Sequence, residues 1–242
     1  MISMQKILDV PLSMEVGLAT AYFSLAFMLY FFSYKNKRLE GFIKNFTNES
    51  SSNMAFINSV RSLGFIFLGL VPGIIFPFLF NTSLSKYGLN FPENSHLWLW
   101  WLIPTALFLI GSIFRSSKGM DLDFYPQVRI QSWSRSALAI NVLFWIIYLI
   151  GYEFAFRGYL FFPAVRAFGL WPAVLLNSSI YGLTHIPKGT GEAFGAFFLG
   201  ILFCLIAYNT NSIVIPLGLH VILAVGNDIK AILTNPNMHV VP

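Results

Sequence analysis

Charge is scarce in this sequence. Its 242 residues include 15 Lys or Arg and 10 Asp or Glu, 10% charged in all, where a soluble domain averages about 25%. So few charges cannot cover a water-soluble globule, which excludes a soluble enzyme and a disordered chain. Cysteine is scarcer still. Cys204 stands alone in an apolar run, so no internal disulfide forms and a disulfide scaffold is excluded. Also missing are a Gly-rich phosphate loop, an internal repeat and a low-complexity segment. The formal net charge of +5 comes from basic residues scattered between apolar runs. Nucleic acid is therefore not an expected partner; in a membrane chain the same excess marks cytoplasmic loops. What fills the sequence is apolar: 56% of residues are hydrophobic, Phe occurs 26 times, and the mean hydropathy is +0.68.

A transmembrane helix needs about 20 mostly apolar residues. Seven candidate spans stand near 16–34, 60–80, 97–114, 137–165, 170–187, 193–208 and 213–233. Backbone groups in lipid must be bonded internally, and the runs are too continuously apolar for barrel strands, so the fold class is an all-α polytopic membrane bundle with a cavity inside it. The first span reads as retained rather than as a cleaved signal: Glu15 precedes it, no small-residue cleavage site follows, and Lys35, Lys37 and Arg38 flank it. Pro72, Pro77 and Pro104 are expected to kink their helices. The chain divides into amino-terminal spans and polar loops, 1–135, and a core over 136–242 that carries the chemistry. Multi-pass insertion makes membrane lipids its surroundings (the cell membrane, in a bacterium). Nothing in the sequence speaks to oligomeric state.

Basic residues set an orientation. Lys35, Lys37, Arg38, Lys44, Arg61, Arg115, Lys118, Arg129, Arg135, Lys188 and Lys230 fall on one side, against Lys6, Lys86 and Arg166 on the other. That bias places the amino terminus outside and the carboxyl terminus in the cytoplasm. The polar, Ser/Asn-rich stretch 36–58 reads as a flexible connector. The segment 115–135, with Asp121, Asp123 and Pro126, reads as lying along the interface.

A charge at the bilayer centre costs about 2.5–3.5 kcal/mol on insertion scales, so ionisable residues there face the bundle interior and pair. The candidates are Glu153, Arg157, His185 and His220, with Asn177, Asn227 and Asp228 as polar neighbours. His96 and His239 lie in flanks and receive no role. Glu153 and Arg157 are four apart and share a helix face. Each residue taken alone also fits a structural role: a self-neutralising pair, an interfacial histidine, a helix–helix hydrogen bond. Depth argues for more. At about 1.5 Å per residue, Glu153 lies roughly 18 Å back from Val165, His185 roughly 22 Å along from Leu170, and His220 roughly 10 Å below Ile213. A glutamate, an arginine and two histidines thus converge within the bundle.

A carboxylate and an imidazole sharing a water act as a general base on it, and a second histidine or an amide holds the oxyanion. That combination reads as peptide hydrolysis in the membrane. Glu153, His185 and His220 are equally the His₂Glu kit of catalytic zinc sites, and both chemistries stay open. Ser178 and Ser179 lack the context of a nucleophile.

At these residues the chain resembles the CAAX-processing and bacteriocin-processing intramembrane proteases, the ABI or CPBP family. The family's Glu-Glu-x-x-x-Arg motif stands here as Tyr152-Glu153-Phe154-Ala155-Phe156-Arg157, followed by Gly158. The aromatic-x-x-x-His motif stands as Tyr181 to His185. A glycine-bearing helix around Gly200 follows, and the last motif opens with His220. The resemblance covers about residues 140–230. It implies a glutamate- and histidine-activated water, catalogued in the family as metal-dependent (zinc or another divalent ion) and also proposed to be metal-free. There are two departures. Tyr152 replaces the first glutamate, and Ala224 replaces the terminal Asn/Asp. The chain is similar to a branch with a single glutamate in the first motif and a Lys and Glu after the second, here Lys188 and Glu192. Glu192 is then a candidate for the missing carboxylate, and Asn227 for the missing amide.

The resulting expectation is an intramembrane endopeptidase, CAAX-protease-like, acting on a membrane-bound or lipidated peptide or protein. Glu153 activates water with His185, Arg157 holds Glu153 ionised, and His220 binds the oxyanion or serves as second base. Glu192, Asn227 and Tyr152 support the site. No metal is assigned; Glu153, His185 and His220 are its ligands if one binds. The alternative is a non-catalytic protein of the same fold with an immunity or partner-binding role. A transporter is disfavoured, because no pair of broken helices recurs in matching halves.

Overall fold

The computed structural model describes residues 12–92, 97–114 and 124–241. Among these residues the fold is all-α. Helix α1 is Leu12–Ser33 and α2 is Lys37–Lys44. Helix α3 runs from Glu49–Phe65 through a π-helical turn, Ile66–Leu70, into Val71–Leu79. Helix α4 is Leu97–Phe114. Helix α5 runs from Arg135–Glu153 through a second π-helical turn, Phe154–Leu160, into Phe161–Phe168. Then come α6 (Leu170–Thr184), α7 (Thr190–Thr210) and α8 (Val214–Thr234). Strands Ser132–Trp133 (β1) and His239–Val240 (β2) pair in parallel and tie the end of α8 to the entry of α5.

Seven of these helices match the seven expected spans. Five segments are long and apolar enough to cross a membrane: Leu12–Ser33, Ser51–Leu79, Arg135–Phe168, Thr190–Thr210 and Val214–Thr234. Large apolar side chains point outward along them; Leu25, Ile74, Leu143, Phe194, Phe198 and Leu233 are all strongly exposed. Water would not tolerate such a belt, and lipid requires it. The interior is aromatic instead, with Phe23, Phe156, Tyr159, Tyr181 and Phe203 buried.

The stretch 36–58 is not a connector. The Asn36 side chain accepts from the backbone N–H groups of Arg38 and Leu39 and starts α2. Glu40 then pairs with Lys37 and Lys44 on the same helix. In α3, Ser52, Ser59 and Ser62 return their hydroxyls to carbonyls of their own helix, so a polar sequence remains helical. This moves Arg61 from a loop into the interior, where it is fully buried. The fifth span also ends early. Pro187 disfavours helix in the residue before it, α6 stops at Thr184, and a 3₁₀ turn, Ile186–Lys188, leads to Gly189 at φ 100°. Asp121, Asp123, Lys118, Arg115, His96 and Lys6 lie outside the described residues.

Helices α3 and α5 cross where two glycines meet. A Cβ on Gly69 would come within 2.7 Å of the Gly151 Cα, so only glycine allows this approach. Both π-helical turns adjoin the crossing, one on each helix. The first also ends two residues before Pro72, whose ring an unbroken α-helix would not accommodate.

Candidate active site

Glu153 is the last residue before the π-helical turn of α5, and Arg157 lies within that turn. The wider helix leaves backbone groups in need of partners. Asn177 of α6 answers one, its amide donating to the Phe156 carbonyl at 2.6 Å. Arg157 Nη1 donates to Glu153 Oε1 at 3.3 Å, and both side chains are fully buried. The guanidinium lies against the rings of Tyr181 (4.3 Å), Phe203 (5.1 Å) and Phe156 (5.6 Å), which suits a weakly hydrated planar cation. From α8, His220 brings Nδ1 to 2.5 Å from the same Glu153 oxygen. Glu153 Oε2 has no hydrogen-bond partner among the described residues.

Beside this centre is a cavity of about 920 Å³. Its wall includes Tyr152, Tyr181, His185, His220 and Asn227; α1 contributes Phe27, Tyr30 and Phe31, and Tyr34 follows just after it. His185 and His220 are each 8% exposed there, whereas Glu153 and Arg157 are at 0%. The ion pair therefore sits one layer behind the wall, and His220 stands between it and the cavity. Sequence depth paired Glu153 with His185; the geometry pairs it with His220. His185, at the carboxyl end of α6, donates from Nδ1 to the Tyr181 carbonyl at 2.8 Å, an assignment that follows from the carbonyl being acceptor only. Tyr152 packs edge-on against His220, centroids 5.6 Å apart, with its hydroxyl 3.3 Å from Thr184 Oγ1.

A catalytic zinc needs three protein donors at about 2.0–2.3 Å from one point. Among the described residues no three His, Cys, Asp or Glu side chains converge so. Glu153 is fully buried, behind the cavity wall that carries His185 and His220. As placed, Glu153, His185 and His220 do not fit the ion. Glu192 lines the same cavity, but its carboxylate accepts from Tyr125 (3.1 Å) and pairs with Lys188 (3.8 Å) rather than joining Glu153. His239 stands apart, on β2, 3.0 Å from Ser132.

A second buried network escaped the sequence reading. Arg61 Nη1 donates to Asn141 Oδ1 at 2.7 Å, and Asn141 Nδ2 donates to Asp228 Oδ2 at 2.6 Å. Gln127 accepts from Arg61 Nε and Nη2. The signal available was an arginine followed by an unbroken apolar run; it was read as a flank.

Fold and site together define an all-α polytopic bundle that holds a carboxylate, a guanidinium and an imidazole behind the wall of a cavity. Residues 133–225 match the family model described as Rce1-like, type II CAAX prenyl endopeptidase Rce1-like. This is the family that the motifs resemble, and the match supports a CAAX-protease-like fold for that stretch. It contains Glu153, Arg157, His185, Glu192 and His220, and stops short of Asn227 and Asp228. Neither curated proteins nor solved structures give a match to the chain.

Proposed function

We propose that the protein is a multi-pass membrane endopeptidase that hydrolyses a peptide bond of a membrane-bound or lipidated peptide. The observation that carries this reading is His220 on the cavity wall with Nδ1 on buried Glu153. A carboxylate accepts only, so Nδ1 carries the proton and Nε2 is left as the basic atom. Glu153 orients the imidazole and stabilises its cationic form, and Arg157 keeps Glu153 ionised. Water gives a proton to His220 Nε2 and its oxygen adds to the peptide carbonyl. The Asn227 amide and the Tyr152 hydroxyl are the neutral donors for the oxyanion. When the intermediate collapses, His220 passes the proton to the leaving amine. His185, its Nδ1 committed to Tyr181, offers Nε2 as a second acceptor for the water. No step runs through a metal.

Cleavage of a quenched lipidated peptide library by the purified protein tests this reading. Wild type is compared with Glu153→Gln and His220→Ala, each with and without chelator. The expected result is cleavage that both substitutions abolish and chelator leaves intact. Cleavage retained in Glu153→Gln overturns the centre, and chelator sensitivity overturns its metal-free form.

Tyr152 favours a second reading. It leaves one carboxylate where the resemblance implies two, and Glu192 is engaged elsewhere. A non-catalytic immunity or partner-binding protein would then show a phenotype indifferent to His220→Ala.

A further inference from the structure

Helix α2 takes no part in the Glu153 centre, and it presents three different faces. Leu39 and Ile43, four apart, pack against the core. Lys37, Glu40 and Lys44 form a second stripe, joined by ion pairs of 3.1 and 3.0 Å, with the lysines 89% and 55% exposed. Arg38 and Phe42, with Phe46 just after the cap, recur every four residues and form the third. At about 100° per residue, the second and third stripes fall on opposite flanks of the Leu39–Ile43 face. Phe42 is 62% exposed and Phe46 74%, and their ring centroids are 5.0 Å apart. Two aromatic rings in contact and open to the outside mark a covered surface. What covers them follows from α1. Its exposed apolar stripe of Leu25, Leu29 and Phe32 ends at the turn into α2, so the lipid that this stripe requires reaches Phe42 and Phe46 next. Charge adds the second part. From Lys35 to Phe46 there are four cations and one acid, Glu40, which is committed to Lys37 and Lys44. Among the described residues Arg38 has no acidic partner, and Lys35 has only the Phe31 ring at 5.2 Å. A free anion would use these two cations and leave the phenylalanines in water. An anionic headgroup with acyl chains beneath it uses both. Lys35, Phe31 and Tyr34 also line the cavity, so α2 stands at its rim.

We infer that α2 is an interfacial anchor that docks on an anionic lipid surface, with Phe42 and Phe46 among the acyl chains and Lys35 and Arg38 on headgroup phosphates. Anchored in this way, it fixes the level of the cavity rim in the bilayer. The inference is independent of the peptidase reading. The full-length protein is placed in nanodiscs of phosphatidylcholine, alone or mixed with phosphatidylglycerol. Cys204 is buried, so a nitroxide attached after Phe46→Cys labels one position. In the mixed discs it is expected to meet oxygen, which concentrates in lipid, and to be shielded from a water-soluble nickel chelate. Hydrogen exchange of the α2 amides reads the strength of docking. Phosphatidylglycerol should slow it by about fivefold for each of the two unpaired cations, the scale of one basic residue near an anionic surface. Salt should weaken the slowing, and Lys35→Gln combined with Arg38→Gln should abolish it. Lys35, Arg38 and Phe46 are exposed, so these replacements leave the core intact. The double replacement also keeps the surface potential of the disc, which separates contact from the lower pH at an anionic surface. Exchange alike in the two discs, or slowing that survives the double replacement, overturns the inference. So does a nitroxide open to the chelate, which puts the face in water, or one closed to both reagents, which puts a second copy or another protein on it. Slowing reproduced in phosphatidylcholine by inorganic phosphate assigns the cations to a free anion and overturns it as well.

Discussion

Two of the charge centres buried among the described residues are built on different plans. In one, Arg157 meets Glu153 directly at 3.3 Å, and His220 completes the set from the cavity wall. In the other, Asn141 keeps cation and anion apart, accepting from Arg61 and donating to Asp228, while Arg61 rests on the Trp145 ring at 4.2 Å. Both centres join α5 to α8, and the second reaches α3 as well. Burial of charge is common to the two and so does not mark a reactive site. The difference is the third member. The amide of Asn141 is already spent on both partners, whereas His220 retains a basic nitrogen beside a space large enough for a substrate. The first plan suits chemistry, and the second suits a cross-brace.

Activity separates the two most widely. Glu153→Gln is expected to reduce cleavage by about 10²–10⁴-fold, the usual scale of a lost acid–base apparatus, with the protein still folded by circular dichroism. Asp228→Ala is expected to do the opposite. It strands Arg61 and costs about 3–5 kcal/mol, read as a lower unfolding midpoint in detergent, while the folded fraction cleaves within a few-fold of wild type. Equal losses of activity would erase the distinction. The paired replacement Arg61→Met with Asp228→Leu sharpens it further. Removing both charges leaves nothing orphaned, so most of the stability lost in Asp228→Ala should return. Glu153→Leu with Arg157→Met should regain stability in the same way and no activity.

The residues of the Glu153 centre stood out in the sequence because ionisable groups in apolar runs are costly enough to be read one by one. Glu153 and Arg157 also shared a face by spacing alone. Which imidazole meets the carboxylate was not legible. Depth along a helix follows from counting residues, but rotation about its axis follows from packing, and the π-helical turn at Phe154–Leu160 adds a rotation that no periodicity announces. Arg61 was misplaced for another reason. Serines and asparagines before it signal a loop by composition, yet the serine hydroxyls bond back to the helix that carries them. Lys188 and Glu192 could be seen, but their bridge through Tyr125 joins residues more than sixty apart in the chain.

The crossing that supports the Glu153 centre can be broken without touching a charge. Gly69→Ala would place a methyl group against the Gly151 backbone at 2.7 Å. Backbone cannot rotate aside as a side chain can, so α3 and α5 must separate, at a cost of about 1–3 kcal/mol. Because α5 carries Glu153 into register with His220, cleavage should fall in this variant by more than the loss of folded protein explains. Thermal unfolding and specific activity measured on one preparation provide the check. Activity that follows the folded fraction alone would show that the crossing does not set the register.

The smallest effect is expected where charge stands in water. On α2, hydrogen bonds from Lys44 and Lys37 hold the Glu40 carboxyl below its ordinary pKa. A carboxylate lowered in the folded state stabilises above its unfolded pKa, and the benefit is lost as pH falls through the folded value. Glu40→Gln should therefore loosen α2 slightly at neutral pH and not at all in acid. An exposed i,i+4 pair contributes only about 0.3–0.5 kcal/mol, and salt screens it. Hydrogen exchange of the α2 amides, compared at neutral and acid pH, reads this directly. The same charge types that cost several kcal/mol to orphan inside the bundle would here be nearly free to remove. A large effect of Glu40→Gln would mean instead that α2 is packed against something that screens it from water.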